Sequence, residues 1–301
     1  MTKLARLPAA LLTLLLGTLL LSTASAQFKS VRVQIIDRGQ ADGFLIRTPN
    51  QKWVVIDAGT NREQAEAMRD TWGVDRVELA IVSHRHFDHQ GGMDDVIRAF
   101  PVGEFLGSVE DCPGRSSDDR VREAIQEKGV SVHAVAADTI EIDGVRFIIL
   151  PPDPVDNDCP DDENNNSVMI RMEFGEFSML FTGDAETQQR EWLMENHPDL
   201  LDVDVLKASH HGSRNGEDGS VDGQGWLDVV TPEAVVISAL INSQHGHPHP
   251  EAVEAYEQAV GHRRVYCTSR HGTIRVYGRR DGKFSIRRQV QDNSSCAFGL
   301  P

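Results

Sequence analysis

"IVSHRHFDHQGG", residues 81–92, sets His84, His86, Asp88 and His89 within six positions. Crowded imidazoles repel one another when protonated and compete for the same hydrogen-bond partners. A bound cation removes both difficulties, because imidazole nitrogen and carboxylate oxygen are the usual donors to zinc and its neighbours. The preceding "VELAIVS" (77–83) is an apolar run of the buried-strand kind, and "GGMDDVIRAF" (91–100) reads as a helix. A strand therefore delivers the cluster at its C-terminal end, and a helix carries the chain away.

The same alternation extends in both directions. "VRVQIID" (31–37), "GFLIRT" (43–48) and "KWVVIDAG" (52–59) are short runs rich in β-branched residues, broken by Gly, Asp, Pro and Asn. "NREQAEAMRDTWG" (61–73) is helical and stops at a glycine. Residues 116–128, 186–196 and 250–260 read as further helices. "TIEIDGVRFIILP" (139–151) reads as a hairpin turning at Asp143-Gly144, and "SVMIRMEFGEFSMLFTGD" (167–184) as another turning at Gly175. Strands are expected at 203–207, 233–238, 264–268, 273–277 and 283–288. Only 153–166 and the tail after 289 read as long irregular segments. Blocks of strands alternating with isolated helices define an α/β fold of sheets covered by helices.

Composition narrows the setting. Lys3 and Arg6 precede an apolar run from Leu7 to Leu21, followed by "STASAQ", in which Ala24 and Ala26 fit a small-x-small cleavage site. The expectation is a signal peptide over 1–26 and an exported chain, periplasmic or secreted, with no later segment apolar enough to span a membrane. Cleavage after Ala26 would take the formal charge from −16 to −18, which disfavours indiscriminate polyanion binding. The sign is uneven: Arg263–Arg288 holds nine Arg or Lys against Asp281 alone, while 153–163 holds six acids and no base. The basic stretch reads either as a solvated strand face or as a strip facing a polyanion. The four cysteines Cys112, Cys159, Cys267 and Cys296 lack the close pairing of a zinc ribbon or redox motif. In an oxidising compartment they suggest disulfides. Cys112–Cys159 with Cys267–Cys296 is the favoured pairing, because each bridge would tie loop-like or terminal segments.

Other candidate ligands end apolar strands. "MLFTGD" ends in Asp184, "VDVLKASHHGS" in His210 and His211, and "AVVISALINSQHGHPHP" runs into His245, His247 and His249. Several strand ends converging on one edge is how α/β folds assemble sites. "SHRHFDHQGG", "FTGD" and "VVIDAG" resemble the metallo-β-lactamase superfamily, with the motif order covering almost all of residues 31–275. "IIDRGQADGFLI", "NNNSVMI", "LFTGD", "DVLKASHHGS" and "GHPHP" further resemble the extracytoplasmic hydrolase-like domain of the DNA-uptake protein ComEC.

The resemblance implies one αββα sandwich over 27–290, with 291–301 a tail, and a dinuclear centre of Zn or Mn along one sheet edge. Carried over by position, His84 and His86 would hold one metal, Asp88, His89 and His210 the other, and Asp184 would bridge. "ENNNS" stands where many superfamily members supply a third histidine to the first metal, so Asn164 is a candidate helper there, as Asp57 of "DAG" is a brace behind the ligands. Asp88 would act on the attacking water, and His247, with His211, Ser213 and Asn242, would contact the substrate. The leading function is phosphodiester hydrolysis, with DNA among the candidate partners and no obligate protein partner. Hydrolysis of a lactam, lactone, thioester or cell-envelope phosphoester is a second class, and a metal-binding domain of little turnover a third.

Overall fold

The computed structural model describes residues 30–108, 116–153, 163–216, 220–221, 224–240 and 244–297. The first 26 residues, Cys112, Cys159 and Asn242 lie outside them.

Two mixed sheets stack face to face. The first has eight strands in the order Phe284–Arg288, Ile274–Arg279, Ser30–Ile35, Gly43–Arg47, Trp53–Ala58, Val77–Ile81, Val102–Leu106 and Ser131–His133. The second has seven: Val265–Cys267, Ala234–Ile237, Val205–Lys207, Phe177–Phe181, Met169–Phe174, Val145–Leu150 and Asp138–Ile142. Three apolar clusters set the layering. One fills the space between the sheets, where Val33, Phe44, Ile56 and Val276 meet Phe147, Met172, Phe177 and Phe181. A second lies between the first sheet and the helices Glu63–Asp70, Met93–Ala99 and Ser116–Lys128. The third lies between the second sheet and the helices Thr187–Asn196, Trp226–Val230 and Pro250–Val260. The architecture is the expected αββα sandwich.

Strand direction places the site. Trp53–Ala58, Val77–Ile81, Val102–Leu106 and Ser131–His133 run parallel, as do Phe177–Phe181, Val205–Lys207, Ala234–Ile237 and Val265–Cys267. Parallel neighbours need crossovers, and the flanking helices supply them. The C-terminal ends of Trp53–Ala58, Val77–Ile81, Phe177–Phe181 and Val205–Lys207 deliver Asp57, His84, Asp184 and the His210-His211 pair to one edge. The hairpin turns gather at the other end. Asp143 and Gly144 both have positive φ (61° and 74°), the geometry of a two-residue turn that matches strand twist. Thr48 Oγ1 and the Asn50 amide and side chain donate to the Asp143 carboxylate at 2.6–2.9 Å, fastening the two sheets there.

The structure adds to the sequence reading and in places corrects it. The short strands Val102–Leu106 and Ser131–His133 and the helix Trp226–Val230 were not expected. The expected helix over 61–73 is confined to Glu63–Asp70, and a separate turn, Phe87–Gln90, precedes Met93–Ala99. Glu163 and Asn164–Asn166, inside the segment read as irregular, are ordered: Asn164–Asn166 is a helical turn, and buried Glu163 pairs with Arg85 Nε at 3.0 Å. The basic stretch is split. Arg279 and Arg280 lie at the hairpin end, opposite the histidines, where Arg279 pairs with Asp281 and Arg280 covers Phe174. They therefore cannot serve as a strip beside the cluster.

Cys267 and Cys296 are disulfide-bonded and buried, drawing residues 289–297 back onto the second sheet. A bridge closing a loop of this order limits the unfolded chain by roughly 3–4 kcal/mol. Cys267→Ser with Cys296→Ser is expected to lower Tm by roughly 5–15 °C in thermal unfolding. An unchanged Tm would show that the bridge carries no stability.

Candidate metal centre

His84 ends the strand Val77–Ile81 after two residues, and the turn Phe87–Gln90 folds His89 back beside it, the two rings 4.1 Å apart. His84 Nε2 lies 3.0 Å from His86 Nδ1. Gly92 follows because a Cβ there would stand 2.5 Å from the Ala58 carbonyl oxygen, against the backbone. Asp57 braces this loop as expected: its carboxylate accepts from Ser83 N (2.8 Å), Ser83 Oγ (2.7 Å) and His89 Nδ1 (2.9 Å). Nδ1 of His89 thus donates to Asp57, which leaves Nε2 aimed into the cluster.

Across the edge, Gly183 takes a positive φ (55°) and turns Asp184 inward, where its Oδ1 lies 3.2 Å from His89 Nε2. The expected pairing of His210 with Asp88 and His89 is corrected. His210 and His211 occupy consecutive left-handed conformations, φ 45° and 54°, an uncommon and strained arrangement for non-glycine residues. The double turn sends His211 into the cluster, with Nε2 3.3 Å from Asp88 and 3.4 Å from Asp184. His210 turns outward, its Nδ1 3.0 Å from Glu186 and its Nε2 3.9 Å from Asp184. Donor atoms of Asp88, His89, Asp184 and His211 all fall within 4.8 Å of one another. His211 Nδ1 is fixed by the Ser238 carbonyl oxygen at 2.9 Å, so this ring too offers Nε2 inward.

Two residues of the site escaped the sequence reading. Asp42 and Lys207 are fully buried and paired at 2.6 Å, and Lys207 also donates to the Gly183 carbonyl at 3.0 Å. Both sit inside motifs already singled out, "IIDRGQADGFLI" and "DVLKASHHGS". The signal was a lysine in an otherwise apolar strand, which can be buried only beside an acid. The remaining candidates lie around the cluster. Asn164 donates to Glu186 at 2.8 Å, beside His210. Ser213 Oγ donates to Asn215 and lies 3.5 Å from His249 Nδ1, so it braces its own loop. His249 Nδ1 accepts from Arg214 N at 3.0 Å, a structural role, while the His247 ring is 5.1 Å from that of His210.

Electrostatics follow from this packing. Burial pushes the Asp184 carboxyl up, but the charges of His211, His89 and Lys207 outweigh it and hold it well below the usual carboxylate range. Burial likewise opposes the charge on His89, and Asp184 and Asp57 overcome it, raising that ring. His84 is pushed well down by burial and by His89. His89 Nε2, His211 Nε2 and Asp184 Oδ1 are buried atoms without a hydrogen bond. Unsatisfied donors of this kind, all N or O, fit a divalent cation.

A sandwich of this layering, with histidines and aspartates gathered at the parallel strand ends, defines a metal-dependent hydrolase. Residues 36–223 match the metallo-beta-lactamase superfamily, and the chain belongs to it. The chain is 29% identical over 278 residues to ComE operon protein 3 of Bacillus subtilis, covering 84% of this chain and 34% of that one. It is 28% identical over 232 residues to competence protein ComA of Neisseria gonorrhoeae, covering 76% and 30%. It thus spans about a third of the length of these curated relatives. In fold it is similar to CmlA, a diiron beta-hydroxylase from Streptomyces venezuelae (TM-score 0.52, 17% identity, 83% of this chain and 54% of that one). It is also similar to Igni18, a metallo hydrolase from Ignicoccus hospitalis (TM-score 0.51, 14% identity, 81% and 98%).

The His210–His211 geometry is testable by metal titration. His211→Ala is expected to weaken binding of a divalent cation at Asp88, His89 and Asp184 about a hundredfold, and His210→Ala by less than about tenfold. The reverse order would contradict this placement.

Proposed function

We propose that the chain is an exported metal-dependent phosphodiesterase acting on nucleic acid. The observation that carries the reading is the set of buried, unbonded donors His89 Nε2, His211 Nε2 and Asp184 Oδ1 facing one another beside His84 and His86. In this reading His84 and His86 hold one divalent cation, Zn or Mn, and Asp88, His89 and His211 a second, with Asp184 shared. When bound, such a pair supplies an acidified water and polarises a phosphoryl oxygen, which suits displacement at phosphorus.

The chain's own residues do the rest. Asp88 has a third of its side chain exposed, against almost none for Asp184, and so is the carboxylate placed to orient water. Burial pushes it up, but His211 and His89 hold it well below the usual carboxylate range, so it accepts a hydrogen bond from that water. Gln40 is oriented by its Oε1, which accepts from Leu240 N at 3.3 Å, so its Nε2 donates to His247 Nδ1 at 3.2 Å. His247 then carries its proton on Nε2. Burial, with His210 and His211 nearby, pushes this ring down to about 3. His247 is therefore neutral at pH 7 and serves as a hydrogen-bond donor to a phosphate oxygen. Phe87 and Leu240 stay about half exposed around this edge, apolar surface suited to a base or sugar. The relative named a competence protein and, at 26% identity over 275 residues, "Recombination protein 2" of Haemophilus influenzae support nucleic acid as the substrate class. Among the described residues no helix is long and apolar enough to cross a membrane.

Metal-stripped protein is expected to be inactive and to regain hydrolysis of bis-p-nitrophenyl phosphate and DNA with Zn or Mn. His86→Ala or Asp184→Ala should lower the rate about a hundredfold or more. Cleavage of nitrocefin or a lactone, with neither diester touched under any metal, would overturn the phosphodiesterase reading. For export, the mature chain is expected to begin at Gln27 on N-terminal sequencing of exported material. A full-length chain fixed in the membrane would contradict cleavage.

A further inference from the structure

The outer face of the first sheet carries an arginine array that the hydrolytic site does not use. Val31, Val33 and Ile35, Phe44 and Ile46, and Ile274 and Val276 point into the core between the sheets. A Cβ on Gly278 would collide with the Phe177 ring, so that position faces inward too. The alternate residues therefore face out. Strand pairing lines them up in two rows. Trp53 stands opposite Arg47, Arg47 opposite Arg32, and Arg32 opposite Tyr277. Nearer the metal edge, Gln34 stands opposite Arg275, and Arg275 opposite Arg287.

Two features set these rows apart from an ordinary solvated strand face. First, like charges are placed directly opposite each other, Arg32 with Arg47 and Arg275 with Arg287, an arrangement that destabilises a sheet. The chain has 46 acids against 30 Arg and Lys. Yet among the described residues no carboxylate lies within ion-pair distance of Arg32, Arg275 or Arg287, while salt bridges are plentiful elsewhere. Arg32 is pushed down by burial and by its neighbours Arg47 and Arg275. Second, the arginines alternate with aromatic rings: Arg47 lies 5.4 Å over Trp53 and Arg287 lies 5.3 Å over Tyr277. Fully buried Gln34 leaves both side-chain amide atoms without a hydrogen bond in the same row. The helix-side apolar cluster reaches Ile36, Leu45 and Trp53 and includes no residue of 274–288.

We propose that this face binds a single-stranded nucleic acid, its phosphates on Arg32, Arg275 and Arg287 and its bases against Tyr277. Trp53 is buried on the helix side, and the combination of a positive track with the partly exposed Tyr277 ring is what sequence-tolerant strand binding needs. The track leads to the hydrolytic edge: Ser30–Ile35 runs on to Asp37, whose amide meets Thr273 Oγ1 at 3.4 Å, and then to Gln40 beside His247. At about 3.3 Å per residue the two rows lie roughly 10 Å and 17 Å short of Asp37, the reach of a few nucleotides. The proposal rests on the nucleic-acid reading above for the class of its occupant, but binding can be measured without turnover.

The test uses the full mature chain in chelator, with a fluorescein-labelled oligothymidylate of about twenty nucleotides, longer than the roughly 4–16 that one platform occupies. Anisotropy is followed over a range of salt. Wild-type protein is expected to bind, and Arg275→Glu with Arg287→Glu to bind at least about tenfold more weakly, with a salt slope smaller by about 1.4. Arg275→Lys with Arg287→Lys should retain binding, and Tyr277→Ala should weaken it about fivefold or more. If the charge-reversed protein fails to fold by circular dichroism, Arg275→Gln with Arg287→Gln replaces it. No oligothymidylate binding at low salt, or unchanged affinity and slope in the variant, would overturn the proposal. So would arginine-dependent binding to phosphatidylglycerol vesicles without oligothymidylate binding. Absence of wild-type binding with diester hydrolysis intact removes this surface alone. Binding without hydrolysis under any metal removes the phosphodiesterase reading and leaves the surface.

Discussion

Buried carboxylates at the strand ends are the constraint around which this molecule is built. Asp42, Asp57 and Asp184 are at most 2% exposed and lie on three different segments of two sheets. Unpaired charges in such a place would be expelled or neutralised. Each has a specific partner instead: Asp57 takes His89 and Ser83, Asp42 takes Lys207, and Asp184 faces His89 and His211. Lys207 in turn is kept charged, because Asp42 and Asp184 overcome the burial that opposes its charge. The compensation is incomplete at the open edge, where His89 Nε2, His211 Nε2 and Asp184 Oδ1 lack hydrogen bonds. A divalent cation would supply the missing positive charge at Nε2 of His89 and His211, the ring atoms left facing inward by the hydrogen bonds of Nδ1 to Asp57 and to the Ser238 carbonyl.

The sandwich serves this arrangement. Parallel pairing brings C-terminal strand ends to one edge, and the hairpins anchored by Asp143 hold the other. Of the six non-glycine residues with positive φ among the described residues, three, Asp57, His210 and His211, lie at this edge. The remaining charge is sorted by position. The metal edge gathers acids and imidazoles, while the outer sheet face near Ser30–Ile35 gathers arginines, so the formal charge of −16 describes neither surface.

Much of this was legible in the sequence. Apolar runs bounded by turn residues located most strands, and Asp143-Gly144 named its own turn. "SHRHFDHQGG" and "FTGD" placed His84, His86, Asp88, His89 and Asp184 on one edge because residue type and strand-end position agreed. What failed has physical causes. Ser131–His133 is too short to show a period, and its side chains are largely exposed. Two adjacent histidines cannot be told apart by spacing, and the left-handed pair at His210 and His211 decides which one turns inward. The basic stretch Arg263–Arg288 reads in sequence as either a solvated strand face or a strip facing a polyanion, and only the fold shows that its arginines are divided between the two ends of the sheet. The array on the outer face borrows Arg32 and Arg47 from strands more than two hundred residues away, which only strand pairing reveals.

The central claim is that the unsatisfied donors at the sheet edge are cation ligands. Anomalous diffraction from crystals grown with Zn or Mn measures this directly. The account predicts one peak within bonding distance of His89 Nε2, His211 Nε2 and Asp88, a second beside His84 and His86, and Asp184 between them. Peaks at His210, at Asp42 with Asp57, or nowhere on this edge would contradict it.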